Sequence, residues 1–151
     1  MEQLGNYPYG LYEPLPYHLF KKETTTENQT VADEQLSTVH EHGRAVRCAY
    51  CKSLITYQGN ADTIAGKHVH SYSNPAGYEF TIACYHKAWC KITGRPTREW
   101  SWFAGYTWQY ALCPQCQEHL GWFYHNQPNN SSFYGLILER IIIENENNEA
   151  Q

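Results

Sequence analysis

The sequence predicts a mainly β domain, and three observations carry that prediction. Aromatic residues are abundant, with thirteen Tyr, five Trp and five Phe against a single Met in 151 residues, and strands accommodate such side chains well. Two stretches show the period-two alternation of a half-buried strand: Tyr78, Phe80, Ile82 and Cys84 alternate with Glu79, Thr81 and Ala83, and Tyr106, Trp108, Tyr110 and Leu112 with Thr107, Gln109 and Ala111. Two C-x-x-C units, Cys48-Ala-Tyr-Cys51 and Cys113-Pro-Gln-Cys116, suit a metal site that offsets the thin core of a small β domain.

Taken in order, residues 1–43 form a Tyr/Pro-rich and polar N-terminal extension. Tyr7 to Tyr17 is broken by three prolines and is expected to be extended, draped over the domain by its tyrosines. Lys21 to Thr30 lacks periodicity and reads as a loop, and Val31 to Val39 as one short helix. The domain proper is expected over 44–143. Leu54-Ile-Thr-Tyr57 is a strand after the first cysteine pair, and Lys67-His-Val-His-Ser-Tyr72 is a second. Asn74-Pro-Ala-Gly77 has the Pro and Gly chemistry of a turn. Gly94-Arg-Pro punctuates a loop, Tyr106 to Leu112 runs straight into Cys113, and Phe133 to Ile143 is the last strand. The tail 144–151 is acidic and Asn-rich and is expected to be disordered.

A formal charge of −4, with Lys and Arg scattered, argues against a nucleic-acid footprint. No apolar run approaches membrane-spanning length. The start Met1-Glu-Gln-Leu-Gly lacks the basic and apolar regions of a signal peptide, so a cytoplasmic location is expected. In a reducing compartment paired C-x-x-C units are metal ligands more often than disulfides. Four thiolates close a tetrahedral Zn²⁺ site with no open position, which makes the metal structural and not catalytic. The bland rival is four unrelated buried thiols. Cys84 and Cys90 lack the spacing and read as small buried apolar residues. His119, three residues past Cys116, reads as a surface or outer-layer histidine.

Four of the five tryptophans, Trp100, Trp102, Trp108 and Trp122, lie between Glu99 and Tyr124, interleaved with the second cysteine pair. On composition alone they are ordinary core aromatics. Their placement beside a metal-fixed turn also admits a box with aromatic walls. His68 and His70 would share one strand face, but no third ligand completes an open metal site. No nucleophile-and-base pattern and no Gly-rich phosphate loop is visible, so binding is expected and not catalysis.

Six motifs in order then carry a resemblance: C-x-x-C, N-P-x-G-Y at Asn74–Tyr78, I-x-G-R-P at Ile92–Pro96, S-W-F-x-G-Y-x-W at Ser101–Trp108, C-x-x-C, and H-x-G-W-x-aromatic at His119–Tyr124. Together they resemble the CULT-domain family, the thalidomide-binding domain of cereblon, over about two-thirds of the chain, from Arg44 to Ile143. The resemblance implies a β-tent, two antiparallel sheets pinned near their apex by one structural zinc on Cys48, Cys51, Cys113 and Cys116. It implies that Trp102, Trp108 and Trp122 wall a cage for a cyclic imide: a glutarimide, a thalidomide-type ligand, a cyclised protein C-terminus or a uracil-like ring. It further implies that the Trp100 backbone C=O accepts from the imide N–H, that the Trp102 N–H donates to an imide carbonyl, and that Asn74 and Pro75 line the mouth. Tyr124 takes a flanking position where the family has Phe.

Two departures stand out. Trp100 and Ala76 each replace a histidine of the family pattern, which removes one side-chain contact to the imide and one to larger substituents. No region that would dock a ubiquitin-ligase adaptor is read in this chain, so that partner is not carried over. Two other functions stay open at this point. The β-tent is similar to the fold of methionine-R-sulfoxide reductases, where Cys84 or Cys90 would have to be an activated thiol. An aromatic cage can also hold a quaternary ammonium ion through cation–π attraction, with Glu99 nearby.

Overall fold

The computed structural model describes residues 42–145. The expectations for 1–41 and for the tail from 146 onward lie outside the described residues. Nine strands follow in chain order: β1 (Ala45–Cys48), β2 (Leu54–Tyr57), β3 (Val69–Ser73), β4 (Glu79–Tyr85), β5 (Lys91–Thr97), β6 (Thr107–Leu112), β7 (His119–Asn126), β8 (Ser131–Ile137) and β9 (Ile141–Ile143). They form two antiparallel sheets, a small one in the order β2-β1-β9 and a large one in the order β3-β4-β8-β7-β6-β5. The mainly β class and the two-sheet plan are as expected. Among the described residues no helix is long and apolar enough to cross a membrane.

Side-chain alternation divides the core between the two faces of the large sheet. On one face Ala83, Tyr85, Leu120 and Leu136 pack with Val46, Cys48, Ile55 and Ile141 of the small sheet. On the other, Ile82, Cys84, Trp108, Trp122, Tyr124, Phe133 and Ile137 pack with Phe103, which arrives from the loop between β5 and β6. The sheet is therefore covered twice. This explains a departure in β4, where Ile82 to Tyr85 are all buried instead of alternating. Tyr78, expected as its first inward residue, precedes the strand and is 69% exposed.

The expected last strand is two strands in different sheets. β8 pairs with β4 and β7, a 3-10 turn at Leu138–Arg140 intervenes, and β9 crosses to pair with β1. The polar Glu139-Arg140 pair inside the apolar run marks the switch. Arg140 is fixed there because its C=O accepts from the Ala49 N–H (3.0 Å) and its guanidinium donates to the His119 C=O (2.7 Å). Gly94-Arg-Pro is also not a separate loop. It lies within β5 as an irregularity between Thr93, opposite Tyr110, and Thr97, opposite Trp108. Gly94 takes φ +90° there, and proline has no N–H to give a ladder.

Nor do the two strand histidines share a face. The regular strand begins at Val69, so His68 packs edge-on against Tyr85 on the small-sheet side, while His70 meets Phe103 on the tryptophan side. His70 is held by Nε2 contacts to the C=O groups of Ile64 and Lys67. One glycine is demanded by packing. A Cβ on Gly121 would sit 2.0 Å from the Gly135 carbonyl oxygen on β8, so the pairing of β7 with β8 at this point requires a residue with no side chain.

Candidate functional site

Two constellations occupy opposite ends of the β6–β7 hairpin. The first is the four-cysteine centre. Cys48 and Cys51 lie in the connection from β1 to β2, and Cys113 and Cys116 in that from β6 to β7. Each pair sits on the same local backbone. The N–H of Lys52 bonds the C=O of Cys48, and that of Gln117 bonds the C=O of Cys113, both at 2.9 Å. The N–H of the first cysteine then donates to a carbonyl five residues on, Ser53 (2.9 Å) or Glu118 (2.8 Å). Lys52 and Gln117 both adopt positive φ, 66° and 63°. This tight turn folds two thiols back towards one point.

The four sulfurs lie within 4.8 Å of one another. Cys48 and Cys116 are 3.7 Å apart, and Cys51 and Cys113 are 3.5 Å apart. A tetrahedron with metal–sulfur bonds of about 2.3 Å has edges of about 3.8 Å, so this donor set fits a single ion. Electrostatics points the same way. Desolvation raises the Cys51 thiol, but hydrogen bonds from Ser53 and its neighbouring sulfurs outweigh it and bring it down to about 6. Desolvation, opposed by the Glu118 backbone and reinforced by the other three sulfurs, pushes Cys116 up to about 12. Ionising one of these thiols opposes ionisation of the next by like-charge repulsion, which a bound cation would relieve. When bound, that cation supplies charge neutralisation and a cross-link between the small and the large sheet.

His119 is not a member of the cluster. Its Nε2–H donates to the Gly121 C=O (2.7 Å), and its ring meets Tyr110 and Trp122 edge-on at 5.3 and 5.0 Å. Burial, then the Arg140 guanidinium, push its imidazole down to about 4. It is a neutral bracket between the cysteine turn and the tryptophans.

The second constellation is aromatic. Trp108 on β6 and Trp122 and Tyr124 on β7 are buried to 2% exposure or less. Tyr124 stacks on Phe133 (4.9 Å, 16°). Trp102 comes from the loop between β5 and β6 and reaches the same face, its ring 5.1 Å from Trp122 at 76°. It also stacks on Tyr72 (5.0 Å, 21°) and leans on Phe80 (6.3 Å). The loop is tied down by the indole N–H of Trp108, which donates to the Glu99 C=O (2.7 Å). Trp100 sits on the same loop at φ +58° with its residue 50% exposed. It follows Glu99 in a turn closed from the Ser101 N–H to the Arg98 C=O (3.1 Å). A bulky side chain in the left-handed region is unusual and strained.

Asn74 and Pro75 lie at the β3–β4 turn. Asn74 is 7% exposed, and its side-chain oxygen accepts from the Tyr78 N–H at 2.7 Å, while Pro75 is exposed. Gly77, with φ +87°, donates back to the Asn74 C=O. Tyr72, Phe80 and Phe103 pack around Trp102 and Tyr124, and none of them is among the candidate site residues that the sequence suggests. The alternation through β4 already turned Phe80 inward, but nothing local marks Tyr72 as the partner of a ring thirty residues on. Two surface cavities border the sheets, the first sharing only Phe80 with the aromatic constellation. One of about 400 Å³ is lined by Glu79, Phe80, Thr81, Ile137, Glu139 and Arg140, and the other, of about 240 Å³, adjoins Trp89.

The two thiols outside the centre, Cys84 and Cys90, sit where burial disfavours the thiolate. Burial, with a further push from Asp62, raises Cys84 to about 12, and burial beside Cys113 and Cys48 raises Cys90 to about 12. An activated cysteine needs the opposite environment.

Comparison with known proteins places the chain. It is 35% identical to protein cereblon of Drosophila willistoni over 103 residues, 64% of this chain and 17% of that protein. It is 29% identical to that of Drosophila mojavensis over 125 residues, 78% of this chain and 18% of that protein. With that of Gallus gallus the identity is 39% over 76 residues, 48% of this chain and 17% of that protein. The matched segment thus spans less than a fifth of the length of these relatives. No family model matches the chain.

Proposed function

Since the chain is a cereblon-like protein, we propose that its aromatic constellation is a capture site for cyclic imides. The observation that carries this reading is the meeting of Trp102, delivered by a loop, with Trp122 on the strand next to Trp108. A glutarimide is a compact ring with two apolar methylenes and an acceptor–donor–acceptor edge. Indole faces enclosing the methylenes would remove them from water. The edge needs partners of opposite sense, because each polar group left unpaired in a dry site costs about 1–3 kcal/mol. The Trp100 C=O and the Trp102 N–H are assigned that role, with Asn74 and Pro75 at the mouth and Tyr124 flanking. The metal of the four-cysteine centre is assigned as zinc, held for structure and without an open position for catalysis. The binding unit is assigned to residues 44–143, and a protein end carrying a cyclised imide is the natural macromolecular partner. A ubiquitin-ligase assembly is not assigned to this chain.

The ring geometry adds a requirement. Trp108 and Trp122 are 2% and 0% exposed, with Trp102 edge-on to Trp122 at 5.1 Å, so a ligand reaches the faces of the two buried rings only when a covering group is displaced. Trp122 is fully buried on a strand, whereas Trp102 is half-buried on a loop. Trp102 is therefore the wall that moves. The test is a fluorescence titration of the zinc-loaded chain with an N–H glutarimide and with its N-methyl analogue. Quenching by the first alone is expected. Equal response to both removes the hydrogen-bonded edge from the account, and displacement by choline in place of the imide would favour a cation cage.

A further inference from the structure

The two cysteine turns share one backbone but differ in the side chain that follows the left-handed residue. After Cys51 and Lys52 stands Ser53, and after Cys116 and Gln117 stands Glu118. Ser53 turns its hydroxyl into the cluster. Its Oγ is 2.9 Å from the Cys51 sulfur and 3.2 Å from the Cys113 sulfur, so it bridges one thiol from each turn. Glu118, when ionised, has no proton to donate. The cations of the first turn are directed elsewhere. Lys52 Nζ donates to the Ala49 C=O and Arg47 Nη1 to the Lys52 C=O, while Arg47 Nε pairs with Glu144.

We propose that Ser53 is a positioning residue of the four-cysteine centre, its hydroxyl donating to the sulfurs of Cys51 and Cys113 and holding the two turns in ligand register. Four thiolates around a divalent cation carry an excess of negative charge. A hydroxyl donated to sulfur disperses part of it, as groups behind first ligands do in metal sites generally. The single proton is shared between the two sulfurs and so ties the small sheet to the large one through the donor atoms themselves. The inference rests on the cluster holding a metal and is independent of what the aromatic site binds.

The experiment measures zinc affinity of the full chain by competition with a chromophoric chelator, in the wild type, Ser53→Ala, Ser53→Thr and Glu118→Ala. Each protein is also loaded with Co²⁺ to record its thiolate-to-metal charge-transfer band. Ser53→Ala should weaken zinc binding about tenfold and move the band to lower energy, since a thiolate without its hydrogen bond gives up an electron more easily. Ser53→Thr keeps the hydroxyl and should restore both, and Glu118→Ala should change neither. An unchanged affinity and band in Ser53→Ala overturns the proposal, as does an equal loss in Glu118→Ala. A wild-type chain that takes up no metal overturns the centre itself.

Discussion

The cysteine end and the tryptophan end of the β6–β7 hairpin are built from opposite materials. At the cysteine end, donor atoms are positioned by two short turns whose backbone hydrogen bonds repeat residue for residue. Each turn is complete within six residues, and the only long-range requirement is that the two meet. At the tryptophan end, the rings come from a loop and two strands, and the neighbours that hold Trp102 come from β3 and β4. The first arrangement is closed and suits a permanent ion. The second is half fixed and half on a loop, which suits an exchangeable ligand.

This contrast is broken most forcefully at Cys113, which is fully buried. Cys113→Ser should abolish metal uptake and lower folding stability by roughly 5 kcal/mol, set against metal-binding free energies on the order of 10 kcal/mol in small zinc modules. Metal analysis and a urea melt check both. Retention of full stability without metal would make the cluster four ordinary thiols.

Next in size is the pair Trp108→Ala and Trp102→Ala. Trp108 is 2% exposed, so its truncation should cost about 3–5 kcal/mol and abolish imide binding while leaving zinc stoichiometry intact. Trp102 is only half-buried, and its truncation should also abolish binding, for about 1–2 kcal/mol of stability. Equal stability losses would erase the distinction between a fixed floor and a loop-borne wall.

The smallest effect expected is in acid. His119 has its imidazole lowered to about 4 from an ordinary 6.5, so it stays neutral in the folded chain where the unfolded chain takes up a proton. Its contribution to stability is complete above about pH 6.5 and is lost progressively as pH falls towards 4. Urea midpoints at pH 7 and pH 5.5 should therefore drop less in His119→Gln than in the wild type. An identical drop would remove the histidine as the bracket between the two ends.

What was legible in the sequence follows the same division. C-x-x-C spacing is a local instruction, and its four thiols do converge. The alternation from Tyr106 to Leu112 correctly announced β6, and Asn74 to Gly77 correctly announced a turn. The run from Phe133 to Ile143 hid a change of sheet, because β-branched residues suit either sheet and only Glu139-Arg140 interrupts them. His68 and His70 were misassigned to one face because the strand starts between them. Ser53 was invisible as a bridging hydroxyl, since serine after a cysteine turn has many ordinary uses. Tyr72 was hidden for a different reason: stacking across a sheet face leaves no trace in local spacing.

In the proposed function a fixed floor, Trp108 and Trp122, is paired with a loop-borne wall, Trp102, that opens to admit an imide. An NMR titration of the indole N–H signals of the zinc-loaded chain with glutarimide would report that opening, with resonances assigned by single Trp→Phe variants. The Trp102 signal should shift most and exchange between two positions, while that of Trp108, bonded to the Glu99 C=O, stays bonded. Five unmoved indole signals at saturating glutarimide would contradict the claim.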